Sequence, residues 1–304
     1  MKTEIGAKTR IKGHIAAASS ILIWGFAFIS TKVLLKSFLP IEILFYRFIL
    51  VYMFLFVLSP KPVMPRFNKT ELLYIGAGFC CASHFLLTNV GLTYTLASNV
   101  GVLTAVAPLF TAIISYFVIS KDSINRNFII GFVITITGVA MINFNGNFML
   151  KLNPLGDILI LLGVLVWAVY CVVMVFINNE VLSLIQQTRK IFFYSLFFLA
   201  PVMIFSDFEF GLRRFTDIEI LGNMFFLAFV ALGISFLTWN FAVGILGSVK
   251  TATYLYFSPI VTIVASVLIL HEPITWISLT GSFLIILGLV VSERKRKEKE
   301  PQDS

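Results

Sequence analysis

The chain alternates between long apolar runs and short polar breaks along its whole length. A window of about 19 residues finds ten apolar segments, each long enough for a helix that crosses a bilayer. We place their cores at residues 14–35, 41–59, 71–92, 96–119, 127–144, 155–178, 189–206, 218–243, 248–270 and 274–292. The pattern therefore predicts an all-α integral membrane protein with ten transmembrane helices and no separate soluble domain.

Composition supports this interpretation. Of the 304 residues, 59% are apolar and only 12% are charged, against about 25% charged residues in a soluble domain. Only a bilayer can cover so much apolar surface, because spanning helices satisfy their own backbone hydrogen bonds. The first apolar run continues to about Leu35, which is longer than the core of a signal peptide, so we interpret it as a first span and not as a removed leader.

The net charge of +8 comes from basic residues that lie between the spans and at the ends of the chain. If the N-terminus is cytoplasmic, seventeen Lys and Arg residues fall in inside segments and five in outside segments. The positive-inside rule then predicts a multi-pass protein of the cell membrane with both termini cytoplasmic. We interpret the basic tail, residues 294–304, as a topology anchor, and we expect no nucleic-acid partner.

The two halves of the chain repeat each other. Matching residues recur at a displacement of 143 in the first two spans and of 151 in the third and fourth. Because each half has five spans, the second half must enter the membrane from the opposite side, as in many secondary transporters. We expect one repeat over residues 1–146 and the other over 147–293. The matching pairs are Trp24 and Trp167, Arg47 and Lys190, Asn89 and Asn240, Pro108 and Pro259, Thr111 and Thr262, and Ser115 and Ser266.

Patterns for enzymatic or ATP-driven chemistry are missing from the sequence. It has no HExxH zinc motif, no GxSxG nucleophile motif and no GxxxxGK[ST] phosphate-binding loop. Cys80, Cys81 and Cys171 lie inside apolar runs without the spaced Cys or His partners of a zinc site. We therefore expect neither an enzyme nor a bound cofactor or metal.

Two stretches carry a resemblance to a known family: SNVGVLTAVAPLFTAIIS in spans four to five, and LGSVKTATYLYFSPIVTIVASVLILHEPITWISLTGSFLIILGLVV in spans nine to ten. They resemble the EamA-type transporters of the drug/metabolite transporter (DMT) superfamily, and the resemblance covers nearly the whole chain. It implies a ten-helix carrier with a central cavity lined mainly by spans one, three, four, six, eight and nine. It also implies export of amino acids and other small metabolites. The first half departs from the pattern, since Lys121-Asp122 stands where the second half has His271-Glu272-Pro273.

Charge within the spans bears on the substrate. The ionisable residues nearest the span interiors are Arg47, Lys250 and Lys32, whereas the acidic residues lie at predicted span ends. A cavity with cationic side chains and no carboxylates favours a substrate that carries a carboxylate or another anionic group. We take Lys250 as the main candidate, because the start of span nine adds the partial positive charge of a helix N-terminus.

Alternatives remain for both cations. Lys250 is equally compatible with an anchor that snorkels to the cytoplasmic surface. For Arg47 we favour a structural ion pair or an interhelical hydrogen bond.

The remaining candidates are aromatic and polar residues inside the spans, which either line a cavity or pack between helices. Pro108 and Pro259 are expected to shape the central helices. The full set of predicted cavity residues is Trp24, His84, Asn89, Asn99, Trp167, Tyr170, Trp239, Asn240, Lys250 and Tyr254.

Together these features predict a secondary transporter that exports small carboxylate-bearing solutes by alternating access. An uptake permease is the first alternative, and a membrane sensor or enzyme with a ligand cavity is the second. A channel is disfavoured, since no ring of charges or filter-like loop occurs. The expected partners are a small-molecule substrate, membrane lipid and a coupling proton or ion, with the protein as a monomer or a homodimer.

Overall fold

In the described parts of the chain, a helix lies in each of the ten predicted spans. The structure, a computed structural model, describes residues 7–61, 65, 68–94, 100, 103–121, 124–144, 154–177, 182–261, 264 and 276–293. Asn99, Thr262, Ser266, the turn at 271–273 and the basic tail lie outside these residues. The helices are α1 Ala7–Leu34, α2 Pro40–Leu58, α3 Lys69–Tyr94, α4 Ala107–Val118, α5 Arg126–Phe144, α6 Pro154–Ile177, α7 Leu184–Ile204, α8 Ile218–Leu246, α9 Ser248–Ala252 and α10 Trp276–Glu293.

Five of these helices, α1, α2, α3, α6 and α8, are long and apolar enough to cross a membrane by length and composition. Helix α8 contains a π-helical segment, Phe226–Ile234, and α9 continues as a 3₁₀ turn, Thr253–Phe257. Hydropathy locates the spans that contain these two segments but does not predict the segments themselves. A π-helical segment is common at functional sites, because it changes the direction of backbone carbonyls.

Local signals explain where several helices begin. Prolines start α2 and α6, where their missing N–H costs no helical hydrogen bond. Helix α7 begins at Leu184, five residues before the predicted core, because Ser183 and Gln186 form a capping box. The first turn of α7 is polar, so a hydropathy window excludes it and places the start of the helix too late.

The helices of each half pack mainly against the other half. Helix α1 packs against α8, and its repeat counterpart α6 packs against α3. Helices α2, α4 and α5 pack against their own counterparts α7, α9 and α10. If each helix is replaced by its repeat counterpart, the contact of α1 with α8 becomes that of α6 with α3. The contacts of α2, α4 and α5 with their counterparts remain the same contacts. The arrangement is that of two inverted repeats around a pseudo-twofold axis, with the core at their interface.

Glycines bring α5 and α10 into backbone contact. A Cβ atom added at Gly288 would lie 2.2 Å from Thr135 Oγ1, and one added at Gly131 would lie 2.4 Å from the carbonyl oxygen of Gly288. Two turns further along, a Cβ at Gly138 would lie 2.5 Å from the carbonyl oxygen of Gly281. Small residues at such crossings are the usual means by which membrane helices pack closely.

Candidate functional site

A cavity lies between the two halves, with about 740 Å³ of space not occupied by atoms, its open mouth included. Its wall comes from helices α1, α2, α3 and α6 and from the segments around the start of α4 and the end of α9. The residues that line it are Ile21, Trp24, Ala27, Phe28, Thr31, Arg47, His84, Phe85, Thr88, Asn89, Thr104, Ala107, Val164, Trp167, Leu255 and Ser258.

The cavity extends from the middle of the helices toward one face of the protein. On α1, its wall runs from Thr31, about 5 Å from the end of the helix, to Ile21, about 20 Å from that end. On α3 it runs along the last half of the helix, from His84 to Asn89. The cavity therefore belongs to the face at which α1 and α3 end.

Hydrogen bonds between the halves close the opposite face, where α1 begins. His14 Nδ1 lies 2.6 Å from the hydroxyl of Tyr254. Ser20 Oγ lies 2.7 Å from Thr238 Oγ1 and donates to the backbone carbonyl of Ser235 at 3.1 Å. These contacts join α1 to α8 and to the 3₁₀ turn after α9, so opening this face requires the two halves to separate there.

An aromatic cluster forms the inner end of the cavity. The rings of Trp24 and Trp167 meet edge to face with centroids 5.4 Å apart, and Trp239 lies 5.0 Å from Trp24. Tyr170 stacks on Trp167 at 5.0 Å, with an angle of 21° between the planes. Trp24 donates its indole N–H to the carbonyl of Ala231, at 2.8 Å, within the π-helical segment. The cluster gives the cavity a rigid apolar wall.

Arg47 is the cation of the cavity. It is 3% exposed, its guanidinium carbon lies 5.0 Å from the centroid of the Phe85 ring, and its Nε has no hydrogen-bond partner. Contrary to the expected structural role, no ion pair or hydrogen bond of Arg47 occurs among the described residues. No carboxylate is among the described residues that line the cavity. Because an uncompensated buried charge is costly, Arg47 is placed to receive an anionic group.

Further polar atoms on the wall lack a partner in the described parts of the chain. Thr88 Oγ1, Asn89 Nδ2 and Trp167 Nε1 are buried and accept or donate no hydrogen bond. Buried polar groups are nearly always paired, so these atoms are placed to bind a water, an ion or a ligand. With Arg47 they form a wall dominated by donors, which suits a ligand rich in acceptor oxygens.

His84 adds an acceptor to this wall. Its Nδ1 lies 2.8 Å from the carbonyl oxygen of Gly163. A carbonyl oxygen only accepts, so Nδ1 carries the proton, and in the neutral ring Nε2 is then an acceptor. Glycine at 163 allows this close approach of α3 and α6, since a Cβ there would lie 3.0 Å from Thr88 Oγ1.

The two prolines interrupt the helical ladder at the cavity wall. Pro108 and Pro259 have no N–H to donate to the carbonyls of Thr104 and Leu255, four residues earlier, and both of these residues line the cavity. The carbonyl of Leu255 accepts instead from the N–H of Ser258. Pro108 lies in the first turn of α4, directly after a break in the helix.

Repeat-related polar residues differ in their pairing. Lys190, the counterpart of Arg47, lies 2.6 Å from Glu71 in a buried ion pair, and Tyr194 donates its hydroxyl hydrogen to the same carboxylate. Asn240, the counterpart of Asn89, accepts from the hydroxyl of Tyr170 at 2.9 Å and donates to Thr188 Oγ1 at 3.3 Å. In each pair the member on the cavity wall is the one with a buried nitrogen that has no hydrogen-bond partner among the described residues.

The predicted residues therefore separate into groups. Trp24, His84, Asn89 and Trp167 line the cavity. Tyr170, Trp239 and Asn240 form the buried layer behind it, each 0% exposed. Asn99 lies outside the described residues.

Lys250 and Tyr254 lie toward the opposite face. Lys250 borders a separate surface pocket together with Ser115, Asn125 and Ser248. The structure thus does not place Lys250 at the central cavity.

Two features of the site differ from the sequence expectations. Helix α2 lines the cavity through Arg47, whereas α8, which the family resemblance includes, contributes no lining residue among those described. The reason is that the protein is open at one face only, so α3 exposes its inner surface while its counterpart α8 is packed. The signal for Arg47 was present in the sequence, since it is the one Lys or Arg of the chain that lies well inside a predicted span.

Comparison with known proteins agrees with this architecture. A protein of Archaeoglobus fulgidus named as an uncharacterized transporter is 24% identical over 298 residues, which cover 94% of this chain and 99% of that protein. The uncharacterized transporter YyaM of Bacillus subtilis is 27% identical over 234 residues, covering 75% of this chain and 74% of that protein. One solved crystal structure has the same fold, with a TM-score of 0.73 at 14% identity over 93% of this chain and 98% of the other.

The family model described as the EamA-like transporter family matches the chain twice, over residues 11–144 and 154–293. Each match covers one set of five helices, and their tandem order agrees with the inverted repeat seen in the packing. The chain belongs to the EamA-like transporter family of the DMT superfamily, and it is a multi-pass membrane transporter and not an enzyme.

Proposed function

We propose that this transporter exports small solutes that carry a carboxylate, such as amino acids, and that it binds the carboxylate at Arg47. The observation that carries the proposal is the buried guanidinium of Arg47 on the cavity wall without an acidic partner among the described residues. A guanidinium binds a carboxylate through two parallel hydrogen bonds, which makes it the side chain best suited to this group.

The surroundings of Arg47 support an amphipathic solute. The unpaired donors of Asn89 and Trp167 can bind carboxylate oxygens, and Nε2 of His84 can accept from an amino or hydroxyl group of the same solute. The aromatic cluster around Trp24 can contact an apolar part. These features favour a 2-amino or 2-hydroxy carboxylate over a plain carboxylate.

Direction and orientation complete the proposal. Export follows the activity that the family resemblance implies, with uptake as the alternative. The distribution of basic residues favours cytoplasmic termini, in which case the cavity of this structure faces the outside. The two repeats, residues 1–146 and 147–293, then alternate access by rocking against each other, coupled to a proton or ion.

A solute screen with purified protein in liposomes, with and without a pH gradient, tests the substrate class. The probes are a radiolabelled mixture of the protein amino acids, and lactate, acetate and choline as single solutes. We expect uptake of amino acids or lactate above that of acetate, and none of choline beyond protein-free liposomes. Transport of choline without any of the carboxylates would contradict the proposal.

A further inference from the structure

The residues that line the cavity fall into two classes when the repeats are compared. In the first class both members of a repeat-related pair line the cavity, at the displacements of 143 and 151 residues. Because both members contact the same space, the pseudo-twofold axis passes through this inner part of the cavity. These pairs are Ile21 and Val164, Trp24 and Trp167, Thr104 and Leu255, and Ala107 and Ser258.

In the second class only the first-half member lines the cavity. These residues are Ala27, Phe28, Thr31, Arg47, His84, Phe85, Thr88 and Asn89. At the same displacements the second half has Tyr170, Cys171, Met174, Lys190, Ser235, Phe236, Trp239 and Asn240. None of these eight counterparts is more than 6% exposed. Several first-half members are just as buried, so the two sets differ in lining the cavity and not in solvent exposure. The second-half residues are packed inside the protein at the positions whose first-half counterparts line the cavity.

The packed surface contains the same kinds of polar group as the exposed one. Lys190 takes the place of Arg47, and Asn240 takes that of Asn89. Lys190 is held by the carboxylate of Glu71, Nζ to Oε2 at 2.6 Å, and Tyr194 donates to the other oxygen of that carboxylate. The carboxylate of Glu71 therefore occupies on Lys190 the position that the carboxylate of a solute would take.

We propose that Lys190 and Asn240 form a second substrate half-site, which binds the carboxylate when the cavity opens to the opposite face. The proposal rests on the proposed function, since it assumes that Arg47 binds a carboxylate in the present state. Rocking of inverted repeats exchanges their environments, so the paired groups of one state become the cavity wall of the other. The solute then meets the guanidinium of Arg47 from one face and the ammonium of Lys190 from the other.

This arrangement makes Glu71 a built-in competitor of the solute. While the half-site is closed, Glu71 compensates the charge of Lys190, which avoids an unpaired buried cation. When it opens, the solute carboxylate displaces Glu71. Removing the Glu71 charge alone is therefore expected to strengthen binding from the face where α1 begins, and to leave binding from the other face unchanged.

Transport measured from each face tests the second half-site. The probe is the radiolabelled amino-acid mixture, supplied to right-side-out and to inverted membrane vesicles that contain the protein. The paired neutral variant Glu71→Gln with Lys190→Gln removes both charges together and leaves no unpaired one. We expect its half-saturation concentration to rise about tenfold or more from the face where α1 begins, and to stay normal from the other face. The variant Arg47→Gln should give the opposite pattern, and Lys190→Arg should retain most binding.

The outcomes separate the two proposals. Unchanged half-saturation of the paired variant from both faces, with a raised value for Arg47→Gln, would overturn the second half-site and leave the proposed function intact. Unchanged values for both variants would overturn the role of Arg47 as well.

Labelling with a membrane-impermeant anionic methanethiosulfonate gives an independent measurement that does not need the paired variant to insert. Asn89→Cys and Asn240→Cys are made in a chain whose Cys80, Cys81 and Cys171 are replaced by Ala. We expect Asn89→Cys to react from the face where α1 ends, and Asn240→Cys to react from the opposite face during transport. Protection of Asn240→Cys from both faces, while Asn89→Cys reacts, would overturn the proposal.

Discussion

Arg47 and Lys190 occupy equivalent positions on α2 and α7, yet within the described part of the chain only Lys190 forms an ion pair with a carboxylate. The two side chains are not interchangeable. A guanidinium is planar and weakly hydrated and stacks on rings, as Arg47 does on Phe85, whereas an ammonium is a compact charge that suits a single oxygen of Glu71. The guanidinium of Arg47 thus suits a residue that faces the cavity, and the ammonium of Lys190 suits a residue that is paired with a carboxylate.

His84 should determine whether the carrier distinguishes solutes by a group next to the carboxylate. Replacing it with Phe keeps a ring of similar size against Trp167 but removes the acceptor Nε2. A hydrogen bond to a charged group is worth about 1.5–3 kcal/mol, so we expect the preference for alanine over propionate to fall at least tenfold. Competition between the two solutes during transport measures this preference.

The control for this variant is Phe79→Leu, which alters an exposed aromatic residue on the same helix. It should leave the preference unchanged. An unaltered preference in His84→Phe would mean that His84 only packs.

The tryptophans should separate into a cavity residue and a packing residue. Trp24 is partly exposed to the cavity, whereas Trp239 is 0% exposed behind it. We expect Trp24→Ala to lower transport more than it lowers the amount of inserted protein. Trp239→Ala should reduce both, because emptying a core position of this size costs about 3–5 kcal/mol. Transport assays paired with immunoblots of the membrane fraction measure the two effects, and equal losses in Trp24→Ala would contradict a cavity role.

At the scale of helices, hydropathy predicts that each span exists but not which of its faces meets another helix, lipid or the cavity. An apolar helix in a membrane has no polar side that would mark its exposed face. The pattern of apolar runs therefore locates α2 but not its part in the cavity wall, and it does not reveal the π-helical segment of α8. Charge and the helix N-terminus at the start of span nine made Lys250 the main candidate, but Lys250 borders a separate pocket and the central cavity opens toward the other face.

The contact of α5 with α10 should depend on its glycines. A side chain at Gly288 would collide with Thr135 and with the backbone of Gly131, so Gly288→Ala must push the helices apart. Overpacking of this kind costs about 1–3 kcal/mol. We expect a lower midpoint temperature of unfolding in detergent, measured by the loss of monodisperse protein on heating.

Gly76 on α3 provides the matched control, because a Cβ there would meet nothing within 4 Å. Gly76→Ala should leave the midpoint unchanged or raise it, since Ala is the better helix former. Equal midpoints for the two variants would show that the close contact of α5 and α10 contributes nothing.

At the scale of the whole molecule, the repeat was the part most open to prediction from sequence. Displacements of 143 and 151 residues gave the repeat, and five spans in each half predicted its inversion, which the packing of α1 with α8 and of α3 with α6 confirms. The side to which the cavity opens could not be predicted, because it depends on the conformational state and not on the sequence of either half. Arg47 and Lys190 are related by the repeat, but Glu71, which pairs with Lys190, has Gly222 at its own repeat position, so their pairing differs in sequence as well as in structure.

Reporter fusions test the orientation in the membrane. If both termini are cytoplasmic, fusions after Asn125 and Leu184 should report the cytoplasm, and one after Arg213 should report the outside. The cavity would then face outward in this structure. A fusion that reports the side opposite to its prediction would contradict the topology, in which each half has five spans and the halves have opposite orientations.

The central claim, that the open cavity binds a carboxylate through Arg47, is tested most directly by one measurement. This is the half-saturation concentration for transport of the preferred carboxylate by Arg47→Gln in liposomes, relative to the unmodified protein. A lost charged hydrogen bond of about 1.5–3 kcal/mol predicts a rise of about ten- to a hundredfold. Lys36→Gln removes an exposed charge just after the end of α1, at the face where the cavity opens, and should leave the half-saturation concentration unchanged. A normal half-saturation concentration in Arg47→Gln would contradict the account.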